Sequence, residues 1–134
     1  MNYIKNRLIL LRHGESEWNL QNRFTGWTDV GLSEKGKKEA KKAGQLLAKN
    51  KLTLDLLYVS YLKRAINTSE ICLNKLKGRN PKIIKDWRLN ERHYGNLQGL
   101  NKSETSIKFG EEQVHVWRRS YDVPPPKLSK SDKR

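Results

Sequence analysis

The chain has 134 residues and carries 28 lysines and arginines against 14 aspartates and glutamates, a formal net charge of +14. That length holds at most one ordinary domain, and a hydrophobic content of 35% is low for a globular fold. No apolar run is long enough to span a membrane, and the single cysteine, Cys72, has no partner for an internal disulfide, so membrane-spanning and disulfide-framed classes are excluded.

A balance this basic favours anionic partners, whether phosphorylated metabolites, nucleic acid or an acidic surface. Many of the lysines are scattered over predicted helix faces and read as solvated surface. The start, Met1-Asn2-Tyr3-Ile4-Lys5, lacks the apolar stretch and small-residue cleavage site of a signal peptide. The expectation is a soluble cytoplasmic protein.

Residues 7–11 read as a buried strand, because Leu8-Ile9-Leu10-Leu11 is a continuous apolar run that ends abruptly at Arg12-His13-Gly14-Glu15. Ser16 to Asn19 fit a first helical turn. Phe24-Thr25-Gly26-Trp27-Thr28-Asp29 is too rich in Gly, Thr and Asp for regular structure and reads as a loop. Ser33 is a helix cap with Glu34 in the first turn, and Ala40, Ala43, Leu46 and Leu47 form the apolar stripe of that helix.

Leu56-Leu57-Tyr58-Val59 predicts a second buried strand. Leu62, Ala65, Ile66, Ser69, Cys72, Leu73 and Leu76 follow at helical spacing, with Gly78 as the stop and Cys72 in the core. Lys82-Ile83-Ile84 is a short third strand. Strand, helix, strand, helix, strand points to an α/β fold with a parallel sheet. From Asp86 to Gly99 the chain is polar and Gly-punctuated, a pattern that in compact domains tends to be functional. Residues 103–120 read as helix broken near Gly110. Two units are expected: a domain over 1–122, and a Pro/Lys-rich tail over 123–134, from Pro124-Pro125-Pro126 onward, without order of its own.

In open α/β folds ligands bind beyond the carboxyl ends of strands. His13 stands at such a place. A neutral imidazole there is a nucleophile toward phosphorus, although a strand-end histidine is often only structural. Arg12 adds a forked donor for phosphate. Arg64, at the start of the helix after the second strand, emerges at the same sheet edge if the strands are parallel. Glu91 follows the third strand and suits a general acid and base for a hydroxyl, or else an ion pair with Arg88 or Arg92. Lys102, Arg118 and Arg119 are further cations, read either as anion clamps or as an exposed basic helix end. His13, His93 and His115 have no metal-ligand spacing, so no metal is expected, and no Gly-rich nucleotide loop occurs.

Beyond generic chemistry, Leu11-Arg12-His13-Gly14-Glu15-Ser16-Glu17-Trp18-Asn19 and Asn22-Arg23-Phe24-Thr25-Gly26-Trp27 closely resemble the start of the cofactor-dependent phosphoglycerate mutases of the histidine phosphatase superfamily. The segments from Arg88 to Lys102 and from Glu111 to Asp122 resemble the mutase branch in particular. The resemblance implies a three-layer α/β/α sandwich, of which this chain represents the N-terminal part. It implies that His13 is the phosphorylated nucleophile, that Arg12 and Arg64 hold the transferring phosphoryl group, and that Glu91 moves the proton of the glycerate hydroxyl. Ser16, Asn19, Thr25 and Gly26 would line the phosphate site, and Arg92, Tyr94, Lys102, Arg118 and Arg119 would bind the rest of the substrate.

The implied activity is interconversion of 2- and 3-phosphoglycerate in glycolysis and gluconeogenesis, primed by 2,3-bisphosphoglycerate and without metal. The partner is then a small phosphoglycerate, not nucleic acid or membrane, with a homo-oligomer also open. The family carries a second catalytic histidine in a His-Gly-Asn motif, which this sequence lacks: Tyr94 follows His93 and Val116 follows His115. Two alternatives stand beside the mutase: a truncated, catalytically impaired fragment that at most binds phosphoglycerates, and a basic nucleic-acid-binding module. A phosphatase, with water as acceptor, is a variant of the first reading.

Overall fold

The computed structural model describes residues 6–134; the start of the chain that was read for a signal peptide, residues 1–5, lies outside the described residues. Five helices and two strands follow in the order α1 (Glu17–Leu20), α2 (Glu34–Lys49), β1 (Leu56–Val59), α3 (Lys63–Leu73), β2 (Lys82–Lys85), α4 (Lys102–Phe109) and α5 (Glu111–Arg119). Two short 3-10 turns, Trp87–Leu89 and Gly95–Leu97, occupy the irregular stretch between β2 and α4. None of the described helices is long and apolar enough to cross a membrane.

Local chemistry explains the boundaries. Ser16 and Asn19 form a reciprocal capping box at α1, each side chain accepting from the other's backbone N–H. The Ser33 hydroxyl accepts from the Gly36 N–H at the start of α2. Asn101 does the same for Ser103 and Glu104 at α4. Gly110, at φ +86°, ends α4 and opens α5, in agreement with the predicted break.

β1 and β2 pair in parallel, Leu56 beside Lys82 and Val59 beside Lys85, as the strand–helix–strand pattern requires. Their burial is less than predicted, since Val59 alone among the four β1 residues is buried. The larger correction concerns residues 7–11. They form no strand; Leu8 is 84% and Leu10 86% exposed. Among the described residues the sheet is two-stranded, with β1 paired only to β2, so the apolar run has no ladder and no covering layer there.

Two helix expectations also shift. α3 ends at Leu73 with Asn74 as its cap, short of Gly78. The inward face of α2 is Gly36, Ala40 and Gly44, whereas Leu46 is exposed and Ala43 and Leu47 are half-buried. Small residues at i, i+4 and i+8 let backbones approach closely. A Cβ on Gly44 would stand 2.7 Å from the Cys72 carbonyl oxygen of α3, and the Cys72 thiol donates to the Ala40 carbonyl at 3.1 Å. Cys72 is thus core, as predicted.

Near the other end of α2, Gly36 lies against the turn that carries His13. A Cβ on Gly14 would sit 2.2 Å from the Gly36 carbonyl oxygen, and one on Gly36 2.0 Å from that of Glu15. The main apolar cluster lies away from the sheet: Phe24, Leu97 and Val114 are buried together, with Tyr94 and Trp117 against them. It joins the 24–29 loop, the 95–99 segment and α5. Residues 124–134 carry no helix or strand. Even so, the Pro126 carbonyl accepts from Asn96 N–H, and Arg134 donates to the Gln98 carbonyl and the Asn96 side chain.

Replacing Gly36 with alanine tests the backbone crossing. Helix propensity alone favours alanine by about 1 kcal/mol, but the added methyl meets backbone that has no rotamer to yield. A net loss of about 2 kcal/mol is expected in urea unfolding. Gly31→Ala, with its nearest neighbour 3.9 Å away, should change stability by less than about 0.5 kcal/mol. Equal effects at the two positions would contradict the account.

Candidate active site

His13 is half-buried in the turn before α1. Its Nδ1 lies 2.6 Å from the Gly14 carbonyl oxygen. A carbonyl only accepts, so Nδ1 carries the hydrogen, and in the neutral ring Nε2 keeps its lone pair. Burial, the largest influence, lowers the pKa of His13; the hydrogen bond to Gly14 opposes this, Arg64 and Arg12 lower it further, and Glu91 raises it. The ring is therefore biased toward the neutral, nucleophilic form.

The turn is tied down on both sides. Gly14 N–H donates to the Thr68 hydroxyl, which donates in turn to the Arg64 carbonyl, so α3 holds the turn one helical step from Arg64. Glu15 accepts from Ser33 and Lys35, which fastens the other flank to α2. These hydrogen bonds hold the Glu15 carboxyl below its usual range.

Arg64 is 1% exposed, among the largest fully buried side chains. Nη2 donates to the Gly26 carbonyl at 2.8 Å and to Glu91 Oε2 at 2.9 Å, and Nη1 donates to the Thr28 carbonyl at 3.2 Å. One guanidinium thus joins α3, the 24–29 loop and the segment after β2. Asp29, in the same loop, accepts from the Lys63 N–H at the start of α3. Of the two roles open to Glu91 from spacing, the ion pair exists, but with Arg64 in place of Arg88 or Arg92. Trp27 braces it: the indole N–H donates to the Glu91 carbonyl at 2.7 Å, and the ring packs on His93.

Around this centre the cations converge. Burial lowers the Lys102 pKa, and Arg118, Arg12 and Arg119 lower it further while Glu91 raises it. Burial raises that of Tyr94, with Glu91 acting in the same direction and Arg118, Arg92 and Arg119 against it. These influences put Lys102 in one electrostatic field with Arg12, Arg118, Arg119 and Glu91, and of these Arg12 and Glu91 also act on His13. The Lys102 ammonium stands 6.0 Å from the Phe24 ring centre. Thr25 is buried, and its hydroxyl is without a hydrogen-bond partner among the described residues. A tetrahedral anion, rich in acceptors, would fit such a set of donors.

Not every expected residue faces this field freely. Arg92 donates to the Trp117 and Ser120 carbonyls and so closes the end of α5. Ser16 and Asn19 engage each other in the α1 cap. Gly26 contributes its carbonyl to Arg64 and turns at φ +56°. Sequence reasoning missed Thr68, Asp29, Trp27 and Gln98, whose side-chain oxygen accepts from Trp27 N–H at 3.0 Å. Only Thr68 left a trace, as a hydroxyl four residues after Arg64 on one helix.

A sequence profile described as the histidine phosphatase superfamily (branch 1) matches residues 8–133. Among curated proteins, the chain is 59% identical over 128 residues to a 2,3-bisphosphoglycerate-dependent phosphoglycerate mutase of Treponema denticola, a match covering 96% of this chain and 52% of that protein. Among solved structures it resembles a mycobacterial glucosyl-3-phosphoglycerate phosphatase in complex with VO3, at 28% identity and TM-score 0.72, over 84% of this chain and 51% of that one. It also resembles YhfR of Bacillus stearothermophilus, at 34% identity and TM-score 0.68, over 79% and 50%. The chain thus spans about half the length of these relatives.

The state of His13 has a pH signature. Its folded pKa lies below the ordinary value of 6.5, so the unfolded chain binds the proton first as pH falls. The contribution of neutral His13 to stability should be full above about 6.5 and decline as pH drops toward the folded pKa. NMR titration of the His13 ring should place its midpoint below 6.5, and Arg12→Ala should move it up. A midpoint at or above the unfolded value would contradict the assignment.

Proposed function

Because the chain belongs to the histidine phosphatase superfamily, we propose that it handles phosphoglycerates through a phosphohistidine on His13, as a phosphoglycerate mutase. The observation that carries the reading is the hydrogen bond from His13 Nδ1 to the Gly14 carbonyl. It leaves Nε2 as the atom able to attack phosphorus. The 59% identity to a bisphosphoglycerate-dependent mutase supports the substrate class.

In this reading His13 Nε2 forms a bond to phosphorus as the phosphate-ester oxygen leaves with its electron pair. Arg12 and Arg64 face the charge on the transferring group, and the Thr25 hydroxyl donates to one of its oxygens. Glu91 supplies a proton to the leaving oxygen. In the second half it takes the proton from the attacking glycerate hydroxyl, as the phosphorus–nitrogen bond breaks. Lys102, Arg118 and Arg119 hold the substrate carboxylate and the phosphate that does not react. When bound, 2,3-bisphosphoglycerate would supply the phosphoryl group that primes His13. The setting proposed is cytoplasmic, with a small anionic substrate as the partner.

A second reading is favoured by one observation, the exposure of Leu8 and Leu10 beside the His13 turn. In it the chain binds phosphoglycerates without turning them over. Incubation with 2,3-bisphosphoglycerate, intact-mass spectrometry and a coupled mutase assay separate the two. The mutase reading expects a gain of one phosphoryl group, lost in His13→Ala, together with turnover. Binding without label or turnover would support the second reading, and absence of binding would reject both.

A further inference from the structure

The bonds of Arg64 divide into two kinds. The Gly26 and Thr28 carbonyls hold the guanidinium in place but neutralise none of its charge. The one carboxylate on it among the described residues is that of Glu91, at 2.9 Å. The two partners differ in burial: Arg64 is 1% exposed and the Glu91 side chain 41%. Glu91 has a fixed main chain, since the Trp27 indole holds its carbonyl at 2.7 Å. Its side chain, by contrast, has solvent to swing into. A buried cation needs a counter-ion at all times, whereas a half-exposed carboxylate can do without one. Arg64 and Glu91 both act on the charge state of His13, so a phosphoryl dianion arriving at His13 brings its negative charge within the influence of the same guanidinium and repels the carboxylate already on it.

We propose that Glu91 is a placeholder on Arg64, displaced by the phosphoryl group of an incoming substrate, and that this exchange is what frees its carboxylate for proton transfer. The proposal rests on the reading of the site as a phosphate site. It makes substrate binding and the appearance of a free acid–base group a single event, with Trp27 as the positioning residue that keeps the Glu91 backbone in place while the side chain turns. The empty site then presents His13 with no free carboxylate beside it.

The test uses inorganic phosphate and the full chain. Removing the competing charge with Glu91→Gln should tighten phosphate binding, measured calorimetrically, by about tenfold or more. The same variant should melt lower than the parent in chloride, because Arg64 is left without a counter-ion, and should recover more than the parent when phosphate is added. A measurement on the unaltered chain guards against a variant that fails to fold. Carbodiimide labelling of Glu91, read by peptide mass spectrometry, should quicken in saturating sulfate over chloride of equal ionic strength. Equal or weaker phosphate binding by Glu91→Gln, or labelling of Glu91 that bound sulfate leaves unchanged or slows, would overturn the placeholder alone. Failure of both proteins to bind phosphate would overturn the phosphate-site reading and the placeholder with it.

Discussion

A guanidinium taken out of water costs several kcal/mol unless its charge and its donors are met, and Arg64 is buried almost completely. Much of the site is arranged around that demand. The 24–29 loop turns its Gly26 and Thr28 carbonyls inward to meet Nη1 and Nη2. The segment after β2 brings Glu91 to supply the charge. α3 starts where it does with Asp29 accepting from its first N–H and Arg64 in its first turn. Through Thr68 the same helix holds the Gly14 N–H, and with it the orientation of His13. One buried charge therefore links the nucleophile, the carboxylate and the loop between them.

The other constraint is steric. Gly14 and Gly36 cross with no room for a methyl group on either, so the His13 turn and the first turn of α2 sit at backbone contact. That contact leaves the Glu15 carboxylate within reach of the Ser33 hydroxyl. Packing and chemistry meet here: the turn is rigid enough for His13 Nδ1 to find a carbonyl one residue away, and that bond decides which ring nitrogen is free. The apolar cluster of Phe24, Leu97 and Val114 does for the cationic side what the glycines do for the histidine. It seats Tyr94 and Trp117 and packs the loop that leads to Thr25 against the helix that ends in Arg118 and Arg119.

Much of this was legible in the sequence where the signal is local. The helical turn near Ser16, the cap at Ser33, the break at Gly110, the parallel pairing of β1 with β2 and the early place of Arg64 in its helix all follow from short-range chemistry. Burial was misread where it depends on neighbours. Leu8 and Leu10 look like a core strand, but an apolar run is buried only when other strands and helices lie beside it. Leu46 fits the helical stripe of α2, but the helix turns its glycines inward because close backbone approach outweighs a leucine on that face. The partners of Arg64 and Glu91 were out of reach because they lie 27 to 64 residues away along the chain, and no spacing rule encodes them.

The central claim is that Arg64 and His13 frame one anion position, held by Glu91 until an anion arrives. A crystal structure of the chain with orthovanadate, a mimic of the transferring phosphoryl group, tests it most directly. The account predicts vanadium bonded to His13 Nε2, its oxygens on Arg64, Arg12 and the Thr25 hydroxyl, and the Glu91 carboxylate turned away from Arg64 with its backbone still on Trp27. Vanadate bound elsewhere, or bound at His13 with the Arg64–Glu91 pair intact, would contradict it.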